Sequence, residues 1–271
     1  MIRFSFFILC SILFSLDSIS QGFYPMGSRS MSMANASVAI EDVWGYHNNP
    51  AVLAGIESVQ IGLSYENRFL TKEMQSQGFA LAIPLKKGVL SIGGNGFGYS
   101  QLRTYKCGVG YSMKLAEFIQ GGIQLNYQTI RINPVYGNSH DMTAEIGVLT
   151  TLNQKTKIGV SIFNLGRSTA STYQYDRYTT CIRFGFNYKI AEEVSFNSEI
   201  EKDIEHPLRI KNGFEYEPVS NFFLRGGFVT EPVELTFGCG YHLKQKFSFN
   251  TGFSYSNLLG WSPNLSFEYG L

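Results

Sequence analysis

The strongest constraint on the fold is a two-residue alternation of apolar and polar side chains that runs from about residue 58 to the end of the chain. The stretch YTTCIRFGFNYK at 178–189 places Tyr, Thr, Ile, Phe, Phe and Tyr on one parity and mostly polar or small residues on the other. The closing stretch LSFEYGL at 265–271 alternates in the same way. Because successive side chains of a β-strand point to opposite faces, this period predicts strands with one apolar and one polar face.

About fourteen such segments can be counted. They begin near residues 58, 76, 88, 103, 118, 140, 156, 176, 194, 208, 222, 234, 247 and 263. This spacing allows roughly 15 residues for each strand with its connection, and therefore strands of about 9–11 residues, the length that crosses a bilayer at a tilt.

The connections between the segments are of two kinds. Short, polar connections lie at 84–87, 153–156, 191–193 and 244–246. Longer, irregular connections lie at 133–141, 166–176 and 256–263. Short turns at one rim and longer loops at the other are typical of outer-membrane barrels.

A soluble β-sandwich would show the same alternation, with its apolar faces packed into a core. Three features favour a barrel: 15% of the residues are aromatic, only 16% are charged, and the polar faces carry mainly Gly, Ser, Asn and Thr. The chain also ends on an alternating strand that contains aromatic residues. We therefore predict an all-β fold, a transmembrane antiparallel β-barrel of about fourteen strands over 58–271, and keep a soluble exported β protein with a structural role as the alternative.

The first twenty residues are typical of a secretory signal peptide. Arg3 supplies the positive start, 4–16 is the apolar core, and Ser18-Ile19-Ser20 is a small-x-small cleavage pattern. A membrane anchor would need a longer apolar run, of about 20 residues. The sequence thus predicts export with cleavage of residues 1–20 and a place in the outer membrane of a Gram-negative-type cell, in contact with its lipid.

Three cysteines, Cys107, Cys181 and Cys239, remain after the signal, and their spacing matches no metal site. We interpret them as small residues on strands. The net charge of +1, without a block of Lys or Arg, excludes electrostatic binding of nucleic acid.

A short capped turn precedes the first strand, in the stretch WGYHNNPAVLAGI at 44–56. Asn49 suits the cap of a helical turn, Pro50 suits its first position, and Gly55 suits its end. An ordinary capped turn outside the barrel is the alternative to the interpretation given next.

Residues 27–56 resemble the start of mature FadL-type outer-membrane transport proteins and of their PorV and PorQ relatives in type IX secretion. The matching residues are Gly27, Met33, Ala36, Ala39, Glu41, Asp42, Trp44, Asn49, Pro50, Ala51, Leu53 and Ala54. Ala34 and Val52 stand where the family pattern has Gly, and the loops are shorter than those of the fatty-acid transporters. The resemblance implies a fourteen-stranded barrel whose short N-terminal plug segment, here 21–57, folds inward, with Trp44, Asn49, Pro50, Ala51, Leu53 and Ala54 forming the plug motif.

Charged residues collect on the inward parity of the strands between 176 and 218. They include Arg183, Glu199, Glu201, Arg209, Lys211 and Glu215. Adjacent strands would place the two glutamates at 199 and 201 near the cations at 209 and 211. Two interpretations stay open: a polar lumen lining that contacts plug or solute, and cross-strand pairing that only keeps the wall in register.

No sequence motif indicates catalysis, a metal or a cofactor. The resemblance implies first a non-enzymatic, PorV/PorQ-like barrel with a binding or scaffolding role among secretion or surface proteins. The alternative is a FadL-like passive transporter of hydrophobic small molecules, which would require a lateral opening and an apolar pocket beside the plug.

Overall fold

The computed structural model describes residue 23 and residues 25–132, 138–166, 178–204, 206–244 and 246–271. The described residues form fourteen antiparallel strands, which close into a ring because β1 pairs with both β2 and β14. The strands are β1 Gln60–Asn67, β2 Gln75–Leu85, β3 Gly88–Gly98, β4 Leu102–Ala116, β5 Ile119–Ile132, β6 Asn138–Asn153, β7 Thr156–Phe163, β8 Cys181–Ala191, β9 Val194–Asp203, β10 Arg209–Val219, β11 Phe222–Thr230, β12 Val233–Leu243, β13 Phe247–Ser256 and β14 Gly260–Gly270. The predicted all-β closed barrel is confirmed, while the predicted signal at 1–20 lies outside the described residues.

The helices are short and mostly precede the barrel. They are α1 Ser28–Ser32, α2 Gly45–Asn48, and two 3-10 helices, Pro50–Gly55 and Arg68–Leu70. No helix within the described ranges is long and apolar enough to cross a membrane.

The two-residue alternation sets which side chains face outward. On β1, the side chains of Leu63 and Tyr65 are 52% and 38% exposed, whereas those of Ser64 and Glu66 are each 7% exposed. The same alternation continues around the ring and leaves large apolar side chains on the exterior of the other strands. An exterior of this kind suits hydrocarbon, where the closed ring leaves no strand edge unpaired.

Several predicted strand starts, at 88, 156, 194, 222 and 247, coincide with the observed ones. Strand lengths vary more than expected, from 8 residues in β7 to 16 in β6. The prediction for β8 was wrong by several residues: the strand begins at Cys181 rather than near 176.

Local hydrogen bonds explain the late start of β8. The backbone just before it is held by one side chain instead of by a strand ladder, since Asn164 Nδ2 donates to the carbonyl of Tyr178 (2.5 Å). Thr180 Oγ1 in turn donates to the carbonyl of Asn164 (3.1 Å). The alternating parity therefore continues through residues that are not paired as a strand.

The two rims differ as the connection lengths indicated. At the short-turn rim, β2 and β3 are joined through residues 86–87, and β8 and β9 through residues 192–193. At the opposite, long-loop rim, residues 68–74 join β1 to β2. The expected loop at 256–263 is reduced to 257–259 because β14 begins at Gly260, and the connections at 133–137 and 167–177 lie outside the described residues. The rule is not uniform, since only residues 231–232 join β11 to β12 at the long-loop rim.

Strand pairing is continuous through the glycine-rich strand β3, which pairs with β2 and β4 without a shift in register. Among the described strand pairs, shifts in register lie at the short-turn rim, for example between Lys114 and Ala116. The glycines of β3 therefore do not open the wall laterally. Instead, β7 ends at Phe163 opposite Glu145, while β6 extends over 138–144 beyond that pair.

Candidate functional site

Residues 25–57, here called the inner segment, lie inside the barrel. Trp44, Tyr46 and Leu53 are each 0% exposed, and most other residues of the segment are buried. The segment touches the lumen side of every strand of the ring. The lumen that a fourteen-stranded ring leaves is therefore filled by the chain's own N-terminal part.

Lumen-facing glycines allow the backbone of the inner segment to lie directly against the wall. A Cβ added at Gly159 would lie 2.2 Å from the carbonyl oxygen of Val38. One added at Gly227 would lie 2.8 Å from the carbonyl carbon of Met33. Similar close approaches occur at Gly62, Gly93, Gly122, Gly147, Gly185, Gly213 and Gly238. The glycines on the polar parity are thus explained by close packing against the inner segment.

Asn49 organises the turn that the sequence singled out. Its Oδ1 accepts a hydrogen bond from the backbone N–H of Ala51 (3.0 Å), and its Nδ2 donates to the carbonyl of Val38 (2.6 Å). The carbonyl of Pro50 accepts from Ser112 Oγ on β4 (2.5 Å). One asparagine therefore caps the 3-10 helix Pro50–Gly55 and joins it to an earlier part of the segment.

The remaining residues of the proposed motif are all buried at the wall. Ala51 and Leu53 are 0% exposed, and Ala54 is 8% exposed. The Nε1 of Trp44 donates to Glu268 Oε1 on β14 (2.8 Å), and its ring lies against Gly62 on β1. Trp44 thus lies at the pair of strands where the ring closes.

Five of the six predicted lumen charges form one connected cluster. Arg183 binds Glu199 through Nε–Oε1 (2.7 Å) and Nη2–Oε2 (2.8 Å). Lys211 Nζ lies 3.3 Å from Glu199 Oε1 and 2.5 Å from Glu201 Oε2. Arg209 Nη1 lies 3.2 Å from Glu201 Oε1. The strand register accounts for this, since Arg209 is opposite Glu201 and Lys211 is opposite Glu199.

This cluster also binds the backbone of the inner segment. Glu199 Oε2 accepts hydrogen bonds from the adjacent N–H groups of Ser37 and Val38, both at 2.9 Å. Arg183 donates through Nη1 to the carbonyl of Asn48 (2.6 Å) and through Nη2 to that of Asn35 (3.1 Å). Sequence reasoning placed these charges on the wall but missed the backbone groups that they bind, because backbone acceptors have no signature in the sequence.

Glu215 belongs to a second cluster. Both of its oxygens accept from Arg29 of the inner segment, at 2.8 and 3.0 Å, and its Oε2 also accepts from Arg225 Nε (2.6 Å). Arg225 Nη1 continues to Asn250 Oδ1 (2.8 Å), and Asn250 Nδ2 donates to Glu268 (3.2 Å). The second cluster therefore links the first helix of the segment to β10, β11, β13 and β14.

A third cluster on the opposite wall was missed by sequence reasoning. Lys106 Nζ lies 3.1 Å from Glu145 Oε1, and the side chains are 2% and 1% exposed. Asn126 Nδ2 donates to the same oxygen (2.7 Å), and Asn126 Oδ1 accepts from Gln124 Nε2 (2.8 Å). The apolar–polar alternation of β4, β5 and β6 could have indicated this cluster, because all four residues lie at polar, inward-facing positions of these strands.

Histidine 47 is neutral in this environment. Burial lowers the pKa of His47 to about 3, and the positive charge of Lys106 acts in the same direction. Its Nε2 donates to the carbonyl of Phe79 on β2 (3.1 Å). His47 thus holds the segment to the wall as an uncharged donor.

An apolar patch lies at the long-loop end of the lumen, on the side of β5, β7 and β8. It combines two groups of buried side chains, namely Phe23, Phe163 and Cys181 in one group and Ile130 and Tyr178 in the other. The rings of Phe23 and Phe163 are 5.5 Å apart. The Arg183 guanidinium lies 5.1 Å from the Phe23 ring, and Lys106 Nζ lies 5.4 Å from the Phe163 ring. The apolar patch therefore rests directly on the first and third charged clusters.

At the short-turn end, a polar cleft of about 280 Å³ separates the inner segment from the wall. Arg29 and Glu41 line it from the segment, and Lys157, Lys189 and Glu215 line it from the strands. Lys157 and Glu41 form an ion pair across the cleft, with side chains 31% and 26% exposed. The described residues contain no group of side chains suited to hold a metal ion.

The barrel shares its fold with proteins of known structure. No family model matches the sequence, and no curated protein matches it. Among solved structures, the Ralstonia pickettii toluene transporter TbuX matches with a TM-score of 0.70 and 11% identity, over 92% of this chain and 99% of that one. The fold is that of FadL-type outer-membrane channels.

Two further structures support this assignment of the fold. The CymD monoaromatic hydrocarbon channel matches with a TM-score of 0.69 and 11% identity, over 92% of this chain and 98% of that chain. A Pseudomonas aeruginosa FadL homologue matches with a TM-score of 0.62 and 10% identity, over 90% and 97% of the two chains. TbuX is a toluene transporter and CymD a monoaromatic hydrocarbon channel, and this chain shares their fold.

Proposed function

We propose that this protein is a passive transporter of small hydrophobic molecules across the outer membrane. The apolar patch carries the proposal, because displacement of Phe23 would uncover a nonpolar surface around Phe163 at the long-loop mouth of the lumen. A toluene transporter and a monoaromatic hydrocarbon channel share the fold, which supports small aromatic hydrocarbons as the substrate class.

The long-loop rim faces the cell exterior in barrels of this kind, so the apolar patch is where a solute would first bind. A planar aromatic solute would take the place of the Phe23 ring on Phe163. β7 ends at Phe163 in the apolar patch, opposite Glu145, while the neighbouring strand β6 extends over 138–144 beyond that pair. A solute arriving from the lipid phase would therefore reach the apolar patch over β7.

In this proposal the inner segment is a plug, and the described structure is the closed state. Arg183 and Glu199 hold the backbone of the plug from the wall, and Arg29 holds the plug to Glu215. Passage of a solute requires the plug to shift away from the wall below the apolar patch. The polar cleft at the short-turn rim is then the side on which the solute would leave.

One observation favours a second candidate function, the scaffolding role in a secretion or surface complex. A hollow of about 1090 Å³ lies on the barrel exterior and is lined by outward apolar side chains such as Leu63, Phe79 and Phe249. A membrane-embedded partner could fill this hollow. Affinity purification in mild detergent tests it: stoichiometric secretion components in the eluate would support the scaffold, and lipid alone would support the transporter.

Uptake of radiolabelled toluene by cells that express the barrel tests the transport proposal, with glucose as a solute that the apolar patch should not bind. We expect faster toluene uptake than in cells without the protein and unchanged glucose uptake. Phe163→Ala should remove most of the gain, because it deletes the ring on which the solute would stack.

Phe196→Ala is the matched control, since Phe196 stacks with Phe214 on β10 in the exterior row of the barrel and not in the apolar patch. Both variants should give the same amount of folded, heat-modifiable barrel. Toluene uptake that is equal in wild type, Phe163→Ala and empty cells would overturn the proposal.

A further inference from the structure

Two arginines lie side by side on the exterior of the tallest part of the wall. Arg103 on β4 is directly opposite Arg131 on β5, and both side chains are exposed. Both arginines have odd residue numbers, as do the outward-facing Tyr105 and Tyr127 on the same strands, which are 40% and 46% exposed. Lys106, at an inward-facing even position, is buried. Both arginines therefore project from the outer face, next to the long-loop rim.

Both guanidinium groups contact Tyr105. Arg103 Nη1 donates to the hydroxyl of Tyr105 (3.2 Å), and Arg131 Cζ lies 5.9 Å from the centroid of the same ring. Within the part of the chain that the structure describes, no ion pair is formed by either arginine. Like charges directly opposite each other destabilise a strand pair. A bound anion would neutralise the two arginines and remove this repulsion.

The position of the pair limits what that anion can be. Tyrosines are enriched at the height of lipid headgroups, where an aromatic ring has one apolar and one wet side. Tyr127 and His140, on the neighbouring strands β5 and β6, continue the polar band, with Tyr127 Oη 2.8 Å from His140 Nδ1. A group bound here has its charge at the headgroup level and its apolar part along the exterior of β4 and β5.

We propose that Arg103 and Arg131 form a binding site for the phosphate of a membrane lipid in the leaflet that faces the long-loop rim. Guanidinium groups bind phosphate through paired N–H donors, and two of them match the several oxygens of one phosphate monoester. The Tyr105 ring fixes the two guanidinium groups so that less side-chain freedom is lost on binding. The acyl chains of the lipid lie on outward residues further along the strands, such as Val109 and Leu125.

Binding of bisphosphorylated lipid A to the purified barrel in a nonionic detergent, measured by native mass spectrometry, tests the site. Dephosphorylated lipid A is the probe that lacks only the phosphates, and inorganic phosphate is the probe that lacks the lipid. We expect the bisphosphorylated form to bind at least about tenfold more tightly than the dephosphorylated form, and Arg103→Gln or Arg131→Gln to lose most of this preference.

Lys202→Gln is the matched control, because Lys202 is a single exposed cation at the same rim whose cross-strand neighbour on β8 is Ile182. It should change lipid A binding less than about twofold. Heat-modifiability of each variant shows that the barrel is folded. Equal binding of the two lipids, an equal loss in all three variants, or inorganic phosphate binding as tightly as the lipid would each overturn the proposal.

Discussion

Arg183 binds Glu199 through two parallel hydrogen bonds of 2.7 and 2.8 Å, and both side chains are at most 1% exposed. The same two residues bind four backbone groups of the inner segment, two N–H groups through Glu199 and two carbonyls through Arg183. A buried ion pair contributes little net stability by itself, but removing one partner leaves the other charge uncompensated. The pair is therefore best understood as the anchor that holds the inner segment in one position.

Glu199→Gln should loosen that anchor. The substitution removes the carboxylate that Arg183 binds through two hydrogen bonds and leaves Glu201, 3.7 Å away, as its remaining anionic partner. We expect a loss of about 3–5 kcal/mol in the free energy of unfolding, the usual effect of breaking a buried pair. In planar bilayers the variant should show frequent channel openings that the wild type lacks. Glu192→Gln, in an exposed turn, should behave as wild type. Closed bilayer traces from Glu199→Gln would contradict the anchoring role.

Gly227→Val should displace the inner segment, because even a Cβ at this position would lie 2.8 Å from the carbonyl carbon of Met33. Overpacking of this kind costs about 1–3 kcal/mol or more. Gly226→Val is the matched control on the same strand, since a Cβ there would meet only Thr236 O at 3.7 Å. Chymotrypsin digestion of the folded protein reports the outcome: cleavage near Trp44 in the Gly227 variant, and resistance in the Gly226 variant and the wild type.

Asn49→Ala should destabilise the turn at Pro50–Gly55. It removes the cap of Ala51 N and leaves the buried carbonyl of Val38 without this donor, and each loss costs about 1–2 kcal/mol. Asn153→Ala removes a comparable cap, that of Lys155 N, from an exposed turn and should cost much less. Urea unfolding midpoints of the two variants measure the difference. Equal midpoints would show that burial of the cap is unimportant.

Joining Glu41 to Lys157 should block transport if the inner segment moves as a plug. The two side chains are in contact and partly exposed, so a water-soluble carbodiimide should form an amide between them. Treated wild-type protein should lose toluene uptake, and treated Lys157→Gln should keep it. Unchanged uptake in protein that mass spectrometry shows to be cross-linked would mean that the segment does not leave β7 during transport.

Phe186→Arg should impair insertion into the membrane. Phe186 lies on the outward parity of β8 and contacts the ring of Phe196, so an arginine here would face lipid. The expected cost is about 2–4 kcal/mol if the residue lies at the bilayer midplane. Phe186→Leu keeps an apolar side chain and should insert normally. The yield of heat-modifiable barrel in isolated outer membranes gives the comparison.

The sequence predicted the ring well because each strand carries its own signal. Parity placed the starts of β3, β9 and β13, and it also placed Glu199 and Glu201 near Arg209 and Lys211 on the neighbouring strand, where the structure pairs them. The predicted start of β8 was wrong because the apolar–polar alternation continues beyond the residues that pair as a strand. Tyr178 fits the alternation of β8, but its carbonyl accepts a hydrogen bond from Asn164 and not from a neighbouring strand.

The interior could be predicted only in part. The resemblance at Asn49 and Pro50 pointed to the inner segment, but its contacts with the wall involve backbone groups far apart in sequence, such as Arg183 with the carbonyl of Asn48. Lys106 and Glu145 were equally hidden, because each is an unremarkable polar residue on its own strand. Such pairs can be predicted only when the register between neighbouring strands is known all around the ring.

β14 makes two kinds of contact, one with β1 and one with the inner segment. It seals the ring against β1, and it also meets the beginning of the chain, since Ser28 Oγ donates to Asn264 and the Trp44 indole donates to Glu268. The same strand therefore both closes the ring and binds two points of the inner segment. A chain that lacks β14 would lose the closure of the ring and, with it, the two hydrogen bonds that hold Ser28 and Trp44 of the inner segment.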